Sequence, residues 1–435
     1  MPKKNIFIVG LDKFNKKLLD QLPHAKECDF HAALDISEIR NVRSYDIQKL
    51  VDKAVNRMKS FSSVDGVASY LDFPGTLLVP ILARHFDLPA PDLESVLKCE
   101  HKYWSRIEQK EVIPENIPQF QGFDPYDDRA FEKIELLPPF WIKPIKSLKS
   151  FLSFRVNDEQ DFREDVEKIR KDIGFVLEPF KYIVQNYADL PDELKVMKDK
   201  CIAETPIGGL QCTLEGYCFN GQVVGYGIVD SIHEKTTPSF ARYQYPSILP
   251  LEVEHDMINI ALKAITRIGL NNSAFNIEFF YDQTADQVYL LEINPRISQA
   301  HTDMFAKIHG ISHLSVMVDL CLNRKPRVME RNGKFNQAAH FMVRTFGNGK
   351  VIRVPSPEEI KKAEQLFPET TISILVKEGD MLSELPALQD SYSYELANIF
   401  IGGKDSTDLL EKYNSILEIL TFEIQKPGHE FTEEF

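Results

Sequence analysis

The chain has 435 residues, 43% of them hydrophobic and 27% charged, with a formal net charge of −14. That is the composition of a soluble globular protein too long for one ordinary core, so roughly two to four domains are expected. Its acidity, with no basic run to offset it, argues against a nucleic-acid partner, and no apolar stretch approaches the ~20 residues that span a bilayer.

In chain order, residues 4–10 read as a short buried strand, since the apolar run is too brief for the core of a secretory signal. Residues 12–22 have helical spacing, with Phe14, Leu18, Leu19 and Leu22 on one side. Residues 65–71 and 77–86 repeat the order of strand then helix. An open α/β domain over residues 1–113 follows. Gly10 is followed by Leu11, Asp12 and Lys13 rather than by G-x-G-x-x-G, so no dinucleotide site is expected there. The six cysteines, at 28, 99, 201, 212, 218 and 321, form no C-x-x-C pair, which fits reduced thiols in a cytoplasmic protein.

Residues 93–110, after Pro89 and Pro91, are compatible with a helix that carries Lys102 and Arg106. Taken alone, Lys102 reads as a solvated charge. Residues 113–118 and 120–125 read as proline-punctuated linkers, and P-P-F-W-I-K at 138–143 enters a strand. A single strand lysine such as Lys143 is ordinarily an edge or snorkelling residue. Residues 159–171 read as an exposed helix, 177–187 and 190–200 are ambiguous, and 201–204 form a strand that ends in a Pro-Gly turn. Asn220-Gly221 between two β-rich runs, 211–219 and 223–230, is a hairpin signal. Glu215 and Asp230 lie on those runs, and 253–268 is an amphipathic helix stopped by Gly269.

Residues 276–280 and 288–293 are apolar strands separated by a polar break at 282–286. Core packing does not account for a carboxylate inside each run, Glu278 and Glu292, flanked by large apolar side chains. A buried, unpaired carboxylate is costly or neutralises, so two together call for a cation between them. Asn294 lies two residues after Glu292 and faces the same way on an extended strand. Two carboxylates and an amide oxygen make a hard site suited to Mg²⁺ with substrate phosphates. Arg296 continues that face as a fixed positive fork for a carboxylate or phosphoryl oxygen. Beyond it, His301 and Asp303 lie close after the loop. His309 and His313 stand four apart, and Gly310 and Ser312 between them point to capping and surface roles. Residues 314–322 read as a helix, 338–345 as a strand ending near Arg344, and 408–418 as a last helix.

Glu278 followed by Glu292-Ile-Asn294-Pro-Arg296 resembles the metal-binding signature of the ATP-grasp superfamily, which includes biotin carboxylase, the carbamoyl-phosphate synthase large chain and L-amino-acid ligases. The resemblance covers most of the chain and is strongest at 201–320. It implies an α/β fold with α+β subdomains. The parts would be a pre-ATP-grasp domain at 1–113, an ATP-grasp domain at 114–325 with a lid at about 138–205, and a C-terminal extension at 326–435. It further implies that ATP and Mg²⁺, or Mn²⁺ in its place, are bound. Lys102 and Lys143 would hold phosphates, with Arg106 as structural support. Glu204 and the backbone through Ile207 would form the hinge that meets the adenine, and Glu215 would face the nucleotide. Glu278, Glu292 and Asn294 would hold the metal, and Arg296 and Arg344 the acid substrate. The chain departs from the family at the lid, where I-K-S-L-K-S-F-L-S at 145–153 contains no glycine. Ser147, Lys149, Ser150 and Ser153 offer hydroxyl and ammonium donors instead of backbone N–H groups.

The reaction this implies is activation of a carboxylate as an acyl phosphate, which an amine attacks to give an amide. The partners would be small-molecule acids and amines, with no nucleic acid or membrane, and homodimers are common in this branch. Biotin carboxylase is the alternative, but its R-I-Q-V-E-H run is matched here by R-I-S-Q-A-H at 296–301. Ser298 and Ala300 stand where the residues that handle bicarbonate would be, so failure in a biotin carboxylation assay is expected. A non-catalytic nucleotide-binding protein is a third reading, motivated by the lid and opposed by the intact metal triplet. Glu292→Ala separates it from an enzyme: ATP-dependent activity is expected to be lost, and an unaffected variant would remove the mechanism.

Overall fold

The computed structural model describes residues 2–40, 44–147, 151–188, 200–235, 237, 239–327, 330–385, 388–390, 392–426 and 432–434. The chain divides into two compact units, one of Met1–Tyr226, Leu249–Gln299 and Leu314–Arg327, the other of Gly227–Ile248, Ala300–His313 and Val328–Phe435.

The first unit begins with β1 (Lys4–Leu11), β2 (Cys28–Asp35) and β3 (Gly66–Ala68), a parallel sheet in the order β2-β1-β3. Ile6, Phe7, Ile8 and Val9 are all fully buried, as expected for a parallel strand covered on both faces. Helix Ile47–Lys59, which the sequence analysis did not assign, buries Ile47, Val51, Ala54, Val55 and Met58 along one stripe. Gly10, with φ of 83°, is where β1 turns towards its helix, and a Cβ there would stand 2.1 Å from Leu71 Cδ1.

A second sheet follows, built from β4 (Phe120–Phe123), β5 (Phe140–Pro144), β6 (Phe154–Val156) and β7 (Cys201–Glu204) in the order β4-β7-β5-β6. Phe120–Phe123 is therefore a strand paired with β7 rather than a linker: its prolines lie outside the paired residues and remove no ladder donor. The segment 93–110 also differs from expectation, as two helices, Leu93–Glu100 and Lys102–Lys110, meet at His101. His101 takes an extended conformation and its Nδ1 accepts the Trp104 N–H at 3.1 Å, so it caps the second helix. Residues 177–187, ambiguous in sequence, belong to the helix Gly174–Tyr187, and 189–199 lie outside the described residues.

β8 (Leu210–Phe219) and β9 (Gln222–His233) turn at Asn220 and Gly221, both with positive φ, the hairpin anticipated from that dipeptide. β9 carries the chain into the second unit, where β10 (Phe240–Tyr245) pairs with it. Helix Leu251–Ile268 precedes β11 (Ser273–Asp282) and β12 (Gln287–Asn294). Val253, Met257, Ile260, Ala261, Ala264, Ile265 and Ile268 are its buried face, and Gly269 closes it in the left-handed conformation. Within the first unit the strand order is β12-β11-β8 with β9 beside β8.

In the second unit β13 (Gln337–Thr345), β14 (Lys350–Arg353), β15 (Thr371–Ile374), β16 (Tyr394–Gly403), β17 (Glu423–Gln425) and β18 (Thr432–Glu434) make two sheets. One runs β9-β10-β13-β16-β15 and the other β14-β17-β18. Their core joins Phe341, Leu396, Ile399, Leu409, Ile416 and Phe422, with the Tyr413 ring stacked 4.1 Å from Phe341. His309 and His313 belong to a buried stack with Phe305 and Tyr245, not to the surface. His309 Nε2 lies 2.8 Å from the Tyr245 hydroxyl, and the rings are buried even though Gly310 caps the helix Thr302–His309 in the left-handed conformation as expected.

All six cysteines are free and buried, and among the described residues no helix is long and apolar enough to cross a membrane. The β8/β11 register is tightest at Gly216, where an added Cβ would meet Phe275 Cζ at 2.3 Å and Val224 O at 2.7 Å. Gly216→Ala is expected to cost about 1–3 kcal/mol, read as a lower urea midpoint at unchanged slope. An unmoved midpoint would contradict this register.

Candidate active site

Antiparallel pairing sets Glu278 of β11 directly opposite Glu292 of β12, with Asn276 opposite Asn294 and, on the other side, Thr213 of β8 opposite Glu278. Paired residues share a face of the sheet. One face of three strands thus carries Thr213, Glu215, Asn276, Glu278, Glu292 and Asn294. Asn294 Nδ2 donates to Asn276 Oδ1 at 3.0 Å and reaches Glu278 Oε1 at 3.4 Å, while Gln211 Nε2 donates to Glu278 Oε2 at 3.2 Å.

The two carboxylates are compensated differently. Lys102, at the start of its helix, forms a short charge-assisted contact to Glu292. Burial would raise the Glu292 pKa, but the Lys102 ammonium prevails and holds it below its usual value. No cation contacts Glu278 among the described residues; its partners are amide N–H groups. Loss of hydration, with the Glu292 charge across the strand pair, pushes the Glu278 carboxyl up to about 7. A half-compensated pair of facing carboxylates with an amide beside it is a donor set that fits a hard divalent cation. Glu278, Glu292 and Asn294 are the residues able to hold one.

Around this pair stands a set of buried ion pairs. Lys143 of β5 and Arg106 both bind Glu204, Arg106 through Nε at 2.6 Å, and Arg106 Nη2 also donates to Leu291 O at 2.7 Å. Burial opposes ionisation of Glu204, yet Arg106 and Lys143 hold its pKa well down. Burial also lowers the pKa of Lys143, against the pull of Glu204. Arg106 therefore ties its helix to the backbone of β12. Glu204 has both oxygens engaged by cations, and Ile207 follows in the irregular segment after β7.

Arg296 lies just beyond β12. Its Nη1 donates to Ile297 O at 3.2 Å, Nη2 lies 3.4 Å from Asn294 Oδ1 and 3.5 Å from Asp72 Oδ2, and its buried Nε has no acceptor. Glu215, fully buried, accepts the Ser298 N–H at 3.1 Å and so fixes the loop after Arg296. Lys102, Lys143, Glu204, Glu215, Glu278, Glu292, Asn294 and Arg296 all belong to the first unit. Arg344 belongs to the second, where its guanidinium donates to Phe240 O at 2.7 Å and Asp390 Oδ2 at 3.0 Å. Lys149 and Ser150 lie outside the described residues.

The sequence analysis did not single out Asp72, Glu100 or Lys146. Lys146 is 3% exposed and bridges Glu100 and Asp72. The signal was of the same kind as at Glu278, a charge inside an apolar run: Y-L-D-F-P at 70–74 and S-V-L-K-C-E at 95–100.

Residues 136–303 match the family model of the ATP-grasp domain. The chain is 29% identical over 344 residues to urea amidolyase of Saccharomyces cerevisiae, covering 76% of this chain and 16% of that protein. It is 26% identical over 266 residues to the C-terminal section of the carbamoyl phosphate synthase large chain of Methanopyrus kandleri, covering 59% of this chain and 44% of that one. It thus spans less than half the length of these curated relatives. Among solved structures, an L-amino acid ligase from Bacillus licheniformis superposes with a TM-score of 0.73 at 17% identity, over 97% of this chain and 99% of that one, a likeness of fold.

The raised Glu278 pKa carries a testable sign. In the unfolded chain the group ionises near pH 4.5, and in the metal-free folded protein near 7, so stability is lost as pH rises through that interval. Under EDTA at pH 8, Glu278→Gln is expected to melt a few degrees above the parent, the gain vanishing by pH 4.5. Added Mg²⁺ should raise the melting temperature of the parent more than that of the variant.

Proposed function

We propose, from the premise that residues 136–303 are an ATP-grasp domain, that this chain is an ATP-dependent carboxylate–amine ligase. It would join amino-acid-like or peptide-like small molecules through an acyl phosphate. The carrying observation is the facing pair Glu278 and Glu292 with Lys102 on one of them and Arg296 beyond their shared edge. Division of the chain into 1–113, 114–325 and 326–435, a cytoplasmic location and a homodimer belong to the same reading.

Glu278, Glu292 and Asn294 would hold a Mg²⁺ ion, which when bound would supply charge neutralisation for phosphoryl transfer. Lys102 and Lys143 are fixed ammonium groups that can stabilise the transferred and leaving phosphates, and their rigidity matters because the groups need no reorganisation during transfer. Release of Lys102 from Glu292 and of Lys143 from Glu204 would accompany nucleotide binding, leaving Glu204 with Arg106. Arg296, with an N–H still lacking an acceptor, can orient the carboxylate of the acid and then the oxyanion formed when the amine attacks. Backbone groups through Ile207 would meet the adenine, Glu215 would support the nucleotide side by holding the Ser298 loop, and Arg344 would contact the acid. The carboxylase alternative lacks the carboxylate expected at position 300, where Ala300 carries no titratable side chain.

The direct test is release of ADP and phosphate with Mg²⁺-ATP across a panel of amino acids, singly and in pairs, together with bicarbonate and biotin. Release that requires one acid and one amine, and falls by about three orders of magnitude in Glu292→Ala, is expected. Release with bicarbonate alone would transfer the chain to the carboxylase reading.

A further inference from the structure

Asp72, Glu100 and Lys146 are given no part in the reaction above, and they lead to Arg296, which has one. Lys146 stands two residues beyond β5 with its ammonium bound to Glu100 and 3.3 Å from Asp72 Oδ1, over the Phe73 ring at 5.7 Å. Asp72 is held on one side only. Its Oδ1 accepts the Phe73 N–H at 2.6 Å as well as Lys146, while Oδ2 faces Arg296 Nη2 at 3.5 Å. The carboxylate therefore has one oxygen for anchoring and one for Arg296.

We infer that Lys146 is a positioning residue which, by fixing the Asp72 carboxylate through Oδ1, sets the aim of the Arg296 guanidinium towards the carboxylate substrate. The inference rests on the reading of Arg296 as the group that orients the acid.

Physical reasons favour this over a merely structural pair. Apart from Asp72, Arg296 has only neutral acceptors, Ile297 O at 3.2 Å and Asn294 Oδ1 at 3.4 Å, and an Nε with none. A long guanidinium so loosely held samples several rotamers unless one charge fixes its fork. Asp72 is the only carboxylate in contact with it among the described residues. Burial opposes the ionised form of Asp72, and Lys146, ahead of Arg296, is what keeps it charged. Glu100 in turn prevents Lys146 from swinging away, because a buried ammonium stays with its closest counter-charge. In a lid without glycine, positional control thus passes from backbone N–H groups to an anchored side chain.

The test follows the Arg296 Nε–H resonance in full-length protein carrying isotope-labelled arginine, assigned by its disappearance in Arg296→Lys. Two variants are compared with the parent: Lys146→Met with Glu100→Gln, which removes the Glu100 carboxylate together with its cation and leaves Asp72 to Arg296, and Asp72→Asn at the more exposed position. In both, the resonance is expected to shift. With a productive acid–amine pair, kcat/KM for the acid should fall about tenfold or more while KM for ATP stays constant. The combined variant should be no worse than Asp72→Asn alone, because both act through one contact. An unmoved resonance in both variants, or losses that multiply when combined, overturns the inference. Should no pair support ADP release by the parent, the ligase reading fails separately, and the resonance by itself decides the inference.

Discussion

The structure depends on a conflict between two like charges. Strand pairing forces Glu278 and Glu292 to face each other across β11 and β12, and no rotation of the side chains can place them on opposite sides of the sheet. Lys102 relieves one carboxylate and amide groups only partly relieve the other, so Glu278 keeps its proton far above the usual carboxylate range. The donor set, the neighbouring ammonium groups and the guanidinium of Arg296 gather around that pair.

The remaining ions follow from that centre. Glu204 takes Lys143 and Arg106, Glu100 and Asp72 take Lys146, and Asp72 reaches Arg296. Apart from Glu278, these buried carboxylates have their cations close by. Removing Lys146 would strand Glu100, and a stranded buried charge costs more than the pair contributes. The pairs also restrain Lys102 at the start of its helix and Lys143 on β5.

How the site was legible differs residue by residue. Glu278, Glu292, Asn294 and Arg296 could be read because they interrupt apolar β-runs at a period of two, and that period alone puts them on one face. Lys102 and Lys143 carried no local signal of this kind; only their resemblance to a known order of motifs set them apart from solvated charges. Asp72, Glu100 and Lys146 were overlooked although two of them also interrupt apolar runs, since helix and loop periodicity does not reveal which distant charge each will meet. The same limit explains Phe120–Phe123, taken as a linker because prolines flank it, and now seen to complete the edge of a sheet through pairing with β7, some eighty positions away in sequence.

Local rules fixed the elements: the Asn220-Gly221 turn, the Gly269 and Gly310 stops, the amphipathic stripe of Leu251–Ile268 and the buried parallel strand β1 all follow from backbone freedom and hydrophobic spacing that neighbouring residues define by themselves. Only the tertiary structure decided which charges pair. An ion pair joins residues as far apart as Lys102 and Glu292 or Arg106 and Glu204, and no spacing along the chain encodes that meeting. Desolvation then turns those meetings into chemistry, because a carboxylate shifts its protonation according to what packing places beside it and not according to its neighbours in sequence.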